Sequence, residues 1–261
     1  MNIFILTDLE GISGVSTIDA VLNENSTAYA EARERLMADT NAAVNAAFDA
    51  GAEGVYVCDG HGGGRNFIAG ALDERATQVW VKELHQVAKD VDAFVHIGSH
   101  AMGGTQNAFL DHTMWSVGVH HYYYNGQRIG ELMQSAVFMG HFGVPLVAVS
   151  GDKAACDEAK RFFGDVPVAC VKEAEERNVA TCIPNREAED LIYRTVKGGI
   201  ENRARFQPTV MPLPFEVKVE FNRSDYCDNA CRGRAHIERL DAYTARCTVR
   251  NIADYSTVIP L

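Results

Sequence analysis

Short apolar runs that stop on acidic or histidine residues, separated by long helical stretches, constrain this chain more than any other feature. Residues 3–6 are apolar throughout and lead to Asp8, the pattern of a strand buried on both faces. A stretch rich in Ala, Glu, Arg, Leu and Met follows over residues 28–50, with Ser26 or Thr27 as its cap and Gly51 placed to end it. Residues 55–58 form the next strand and stop at Asp59-Gly60-His61. Residues 78–81 and 93–97 read as further strands, the second ending at Gly98-Ser99-His100. Residues 117–124 are rich in β-formers and meet Asn125-Gly126, the dipeptide a type I′ hairpin turn prefers, with residues 127–129 returning.

A helix over about residues 130–142, a strand at 145–149, a helix at 153–163, a strand at 166–171 and a helix at 186–205 continue the rhythm. The alternation predicts an α/β fold of three layers, with a largely parallel central sheet flanked by helices. After Pro208 the texture changes. Pro208, Pro212 and Pro214 precede an alternating strand at residues 215–221, and residues 235–240 and 245–249 are compatible with strands. The expected organisation is an α/β metal-binding catalytic domain over residues 1–205, with a small C-terminal α+β lobe, 206–261, packed on it.

Bulk properties exclude some functions. A formal charge of −11 argues against a broad electrostatic grip on nucleic acid or anionic membrane. No apolar run approaches the ~20 residues a membrane helix needs, and the N-terminus reaches a charge at Asp8 too early for a signal peptide. The cysteines are scattered and odd in number, seven in all, which favours reduced thiols in the cytoplasm over a disulfide framework.

The chemistry collects at strand ends. Asp8 with Glu10, Asp59 with His61, and His100 all terminate expected strands, and in open parallel sheets ligands bind at the carboxyl edge. Side chains two apart on an extended segment point the same way, so Asp8 and Glu10 can address one site. Glu131 opens the helix after the hairpin and could reach the same crevice. Two or three carboxylates with two imidazoles suit zinc, manganese or a similar divalent ion. One carboxylate can bridge two ions, and Asp8 is the natural bridge; the benefit would be an acidified water attacking a polarised carbonyl. Each residue alone has a plainer reading: Asp8 as a turn cap, His61 as decoration of a Gly-rich turn, His100 as a core histidine, Glu131 as a first-turn carboxylate. Convergence on one sheet edge favours the metal site.

The segment Thr7-Asp8-Leu9-Glu10-Gly11-Ile12-Ser13-Gly14 resembles the opening of the M55 family of zinc-dependent D-aminopeptidases. Further matches follow in order: Asp59-Gly60-His61, Gly98-Ser99-His100-Ala101, Asp111-His112-Thr113-Met114, Ile129-Gly130-Glu131-Leu132, the stretch from Pro145 to Asp152, and Val219-Glu220-Phe221. The resemblance spans essentially the whole chain. It implies two zinc ions per subunit bridged by Asp8, with Glu10 and His100 completing one ion's ligands and His61 and Glu131 the other's. It also implies an active-site role for His112, whose plainer reading is a loop histidine held by Asp111. On physical grounds His112 would donate to the oxyanion or leaving amine. The implied activity is release of N-terminal D-amino acids from short peptides, by a ring-shaped homo-oligomer, a decamer, in the cytoplasm. The chain departs from the pattern at Gly62-Gly63-Gly64, where bulkier residues are expected, and at Ile259-Pro260-Leu261, where a longer helix is expected.

Two alternatives stay open: a dinuclear-zinc amidohydrolase acting on a non-peptide amide, and a catalytically silent ring-forming protein. Cys227 and Cys231 near His236 lack a fourth ligand at zinc-finger spacing, and the chain has neither a dinucleotide fingerprint nor a His-Glu-x-x-His motif.

Overall fold

The computed structural model describes residues 1–22 and 24–252, so the expectation about residues 259–261 lies outside the described residues. In chain order the elements are β1 (Asn2–Thr7), α1 (Asp19–Leu22), α2 (Thr27–Asp49), β2 (Gly54–Asp59), β3 (Thr77–Val79), α3 (Leu84–Val87) and β4 (Ala93–Ser99). The hairpin strands β5 (Val119–Tyr124) and β6 (Gln127–Ile129) precede α4 (Glu131–Gly140), β7 (Leu146–Asp152), α5 (Lys153–Phe163), β8 (Val168–Glu176), β9 (Val179–Cys182) and α6 (Asn185–Glu201). Last come β10 (Phe215–Phe221), α7 (Ser224–Cys231), β11 (Glu238–Arg239) and β12 (Thr244–Val249).

Among the described residues the main sheet has seven strands in the order β3-β2-β1-β4-β7-β8-β9. Every pairing in it is parallel except β8 with β9. The fold is therefore the three-layered α/β arrangement expected from the sequence. Helices α2 and α6 cover one face, where Leu36, Ala43 and Val44 of α2 and Ile192 and Val196 of α6 join Ile3, Ile5, Val55, Val57, Val95 and Ile97. The opposite face packs Phe4, Phe94 and Leu146 against Val87 of α3, Leu132 and Ala136 of α4, and Ala159 of α5. Successive residues of β1 and β4 thus feed opposite cores, which is why residues 3–6 of β1 and 93–95 of β4 are apolar without alternation.

Local signals explain the boundaries. Ser26 caps α2 by accepting the Tyr29 N–H at 2.9 Å, and Gly51 takes φ +90° just past the end of that helix. Asn125 and Gly126 both hold positive φ, at 46° and 79°, as a type I′ turn requires.

A second sheet, ordered β11-β12-β10-β5-β6, is antiparallel. It draws β5 and β6 from before residue 205 and β10, β11 and β12 from after it, so the two parts of the sequence share one sheet. Its core, with Tyr124, Phe215, Val217 and Val219, includes Met133 and Val137 of α4 and Cys227 and Ala230 of α7. Helix α4 therefore lies against both sheets, with Leu132 and Ala136 on one side and Met133 and Val137 on the other.

Candidate metal centre

Strands β2, β1 and β4 lie side by side, and their carboxyl ends deliver the first four residues of the site. The chain crosses from β1 onto this edge through tight backbone contacts: Asp8 N–H donates to Ile97 O and Gly11 N–H to Gly98 O, both at 2.8 Å. The approach demands glycine. A Cβ at Gly11 would stand 2.1 Å from the carbonyl oxygen of Ser99, and one at Gly98, where φ is +77°, would stand 2.1 Å from that of Asp8. Asp8, Glu10 and His100 are all buried here, at 7%, 3% and 4% exposure.

Six side chains expected from the sequence meet at this edge. His61 Nδ1 lies 3.2 Å from Asp8 Oδ1 and 3.0 Å from Glu10 Oε2. His100 Nε2 lies 3.3 Å from Asp8 Oδ2 and 3.3 Å from Glu131 Oε1. Asp8 thus turns one oxygen toward each imidazole. His112 stacks on His100, with ring centroids 4.0 Å apart and planes 7° from parallel. Its Nε2 stands 3.8 Å from Glu10 Oε1 and 3.7 Å from Glu131 Oε1. The donor atoms fall into three tight groups: Asp8 with Glu10 and His61; Asp8 with His100 and Glu131; and Glu10 with His100 and His112. Around Asp8 the side chains lie nearest as Glu10 with His61 and as His100 with Glu131, while Glu10 also groups with His100 and His112.

The imidazoles are oriented from behind. His100 Nδ1 faces Ala101 O at 3.1 Å and His112 Nδ1 faces Leu110 O at 2.8 Å, so each donates there and turns Nε2 inward. Asp111 does not hold His112; it accepts from Gly104 N–H and from Arg177. Glu131 opens α4, and its Oε1 also accepts the Met114 N–H at 2.6 Å. Asp59 is buried but turned away from the ligands. It accepts from Asn66 N–H at 2.6 Å and His61 N–H at 3.3 Å, and so shapes the turn that carries His61.

Electrostatics describe a site that wants positive charge. Burial pushes the Asp8 carboxyl up, but the neighbouring His100 and His61 outweigh it and hold Asp8 well below the usual carboxylate range. Burial likewise opposes charge on His61, yet Glu10 and Asp8 raise it to about 11. His100 is buried too, and Glu131 and Asp8 hold it well above its ordinary value. Burial raises Glu131 while His100 and His112 bring it down, for a net lowering.

The donor set fits zinc by more than its composition. His100 Nε2 is buried and, despite its two carboxylate neighbours at 3.3 Å, is aligned for a hydrogen bond with neither. A nitrogen aimed between two carboxylates, its sister nitrogen already engaged, suits coordination of a divalent cation through oxygen and imidazole ligands.

Several residues of the site escaped the sequence reading. Asn66 donates to both oxygens of Asp59 and to His61 O, and Tyr29 donates to its Oδ1 at 2.6 Å. Asp39, fully buried on α2, accepts Ser13 N–H at 2.8 Å and Ser13 Oγ–H at 2.6 Å. Lys172 donates to Glu10 O at 2.7 Å and to Val15 O from a wholly buried position, and burial pushes its pKa down to about 8. Asp39 interrupts the apolar stripe of α2 among Leu36, Thr40 and Ala43, and Lys172 ends an apolar run; those interruptions were the available signals.

Comparisons with known proteins agree with this fold. The sequence model of the family described as Peptidase M55, D-aminopeptidase, matches residues 1–260. The D-aminopeptidase of Bacillus subtilis (strain 168) is 28% identical over 226 residues, which cover 85% of this chain and 81% of that protein. A solved structure described as "Zn-dependent D-aminopeptidase DppA from Bacillus subtilis, a self-compartmentalizing protease" superposes with a TM-score of 0.91. That match covers 98% of this chain and 94% of the other at 24% identity, and it establishes a common fold.

Proposed function

The chain belongs to the M55 family of D-aminopeptidases, and on that premise we propose that it releases N-terminal D-amino acids from short peptides, using two zinc ions held by Asp8, Glu10, His61, His100 and Glu131. The observation that carries the reading is the meeting of these five side chains, from four separate stretches of chain, around the two oxygens of Asp8. Bound there, zinc would polarise the scissile carbonyl and acidify the attacking water.

The protein's own groups supply the rest. Asp8 faces both imidazoles and would be the carboxylate shared between the two ions. Glu10 and His61 serve one side of it, and His100 and Glu131 the other. His112 is the proton donor. Its Nδ1 is committed to Leu110 O, so only Nε2 faces the cleft, and stacking on His100 fixes the plane of the ring. From there it donates to the oxyanion or to the departing amine, steps in which such groups contribute about 10²–10⁴-fold.

Ring-shaped self-association, as a decamer in the cytoplasm, completes the proposal. Its support is the self-compartmentalizing description of the structural relative, together with Met114 and Val117. These apolar residues follow His112 in sequence and are 52% and 62% exposed, surface that contact with another subunit would remove from water. No helix among the described residues is long and apolar enough to cross a membrane.

Metal analysis of the purified protein, beside an assay of D-Ala dipeptides, their L-epimers and simple amides, tests the activity. About two zinc ions per chain and selective cleavage of the D-peptides are expected. Equal rates on both epimers, or turnover of amides alone, would overturn the substrate assignment. Light scattering at a mass other than ten chains would remove the decamer.

A further inference from the structure

We propose that Lys172 is a positioning residue for the metal centre, its ammonium fixing the loop that carries Glu10 and thereby the geometry in which zinc is held. The inference rests on the metal-binding reading above.

Lys172 lies on β8, where its Cα is paired with Asp152 on one side and Cys182 on the other. It is only 2% exposed, and among the described residues no carboxylate stands in ion-pair range of Nζ. Burying an ammonium without a counter-ion is penalised even after relaxation, and an apolar side chain of the same length would fill this space without that penalty. The charge is met instead by backbone. Nζ donates to Glu10 O at 2.7 Å and to Val15 O, the two carbonyls that bracket the Gly11–Gly14 turn. One cationic point therefore gathers both ends of the loop, while Asp39 grips its middle through the N–H and hydroxyl of Ser13. Arg35, which donates to Ser13 Oγ at 2.9 Å and pairs with Glu189 at 2.8 Å, backs that grip.

The consequence falls on Glu10. Its two carboxylate oxygens are divided, Oε2 at 3.0 Å from His61 and Oε1 at 3.8 Å from His112. A small rotation of the Glu10 backbone would move both oxygens at once. The same ammonium also sits 4.8 Å from the centre of the Phe109 ring, a cation–π arrangement. Phe109 precedes Leu110, whose carbonyl orients His112. Lys172 thus touches both the loop that carries Glu10 and the segment that presents His112, without touching either reacting side chain.

The test compares the parent protein with Lys172→Met, which keeps the apolar stem, and Lys172→Gln, which keeps one donor. Zinc affinity of the metal-stripped proteins is measured by competition with a chromophoric chelator, and the d–d absorption of the cobalt-substituted proteins is recorded beside it. Circular dichroism checks the fold. The Met variant is expected to be folded, to bind zinc about 10–100-fold more weakly, and to show a shifted cobalt spectrum and reduced kcat with little change in KM. The Gln variant should recover part of each loss. A folded Met variant with the parent's zinc affinity and cobalt spectrum would overturn the proposal. So would failure of both variants to fold, which would make Lys172 a residue of the core alone. If the parent itself bound no zinc in the same titration, the underlying metal reading would fail instead, and the two failures are distinguishable.

Discussion

Loading the site with zinc should release protons, and the structure sets the number. In the metal-free protein Glu10 and Asp8 raise His61 to about 11, and Glu131 and Asp8 hold His100 well above its usual value, each against the opposing effect of burial. At pH 7.5 both imidazoles are therefore cations, while Asp8 and Glu131, lowered by those same imidazoles, are already ionised. An imidazole must be neutral to coordinate, so filling both positions displaces about two protons per chain. Apparent affinity for each zinc ion should then rise roughly 10-fold per pH unit above pH 6.5, one proton leaving per ion, and level off as pH approaches the raised imidazole values. Stability of the metal-free fold should behave in the opposite sense. The raised imidazoles contribute fully below pH 6.5, and the part due to His61 is lost as pH rises toward about 11. The lowered Asp8 contributes above pH 3.8 and is lost on acidification through its depressed value. Calorimetric titration of zinc in buffers of different ionisation enthalpy counts the protons directly. Release of less than half a proton, or an affinity flat between pH 6.5 and 8.5, would show that the imidazoles are neutral before metal arrives and would refute the electrostatic account.

Other substitutions separate chemistry from scaffolding. His112→Ala should lower turnover by about 10²–10⁴-fold with zinc content and circular dichroism unchanged; unaltered turnover would remove His112 from the mechanism. Gly11→Ala places a methyl 2.1 Å from the Ser99 carbonyl oxygen, so it should destabilise by at least about 1–3 kcal/mol in urea melts and deplete bound zinc. Asn66→Ala leaves Asp59, His61 O and the Tyr29 hydroxyl short of partners. It should destabilise by about 1–3 kcal/mol and weaken zinc in chelator competition by about 10-fold or more; parental zinc affinity would show that the His61 turn stands without it.

The residues legible in the sequence were those whose role follows from local pattern. Asp8, His61 and His100 end or follow apolar runs that could only be buried strands, and Asn125-Gly126 announces its turn. Which imidazole faces which carboxylate was not legible, because spacing along the chain does not fix direction across a sheet edge; the observed pairing emerged only in three dimensions. His112 has no local pattern of its own and was found through family likeness. Lys172 and Asp39 carry little local sign of burial, since a buried charge is tolerated only by partners far away in sequence, here the carbonyls of Glu10 and Val15 and the N–H and hydroxyl of Ser13. Strand β9 was missed because it is an antiparallel edge of mixed composition, and α7 because its eight residues span only about two turns.

The hairpin that leads into Glu131 closes its sheet only against β10, and β10 in turn pairs with β12, more than a hundred residues downstream. During synthesis, a ribosome that has delivered Asp8, His61, His100 and even Glu131 has still not delivered the strands that hold the hairpin in place. The second sheet is therefore complete only once β10 and β12 have been made, and a chain stopped before them would present these candidate ligands without that frame to keep them in register.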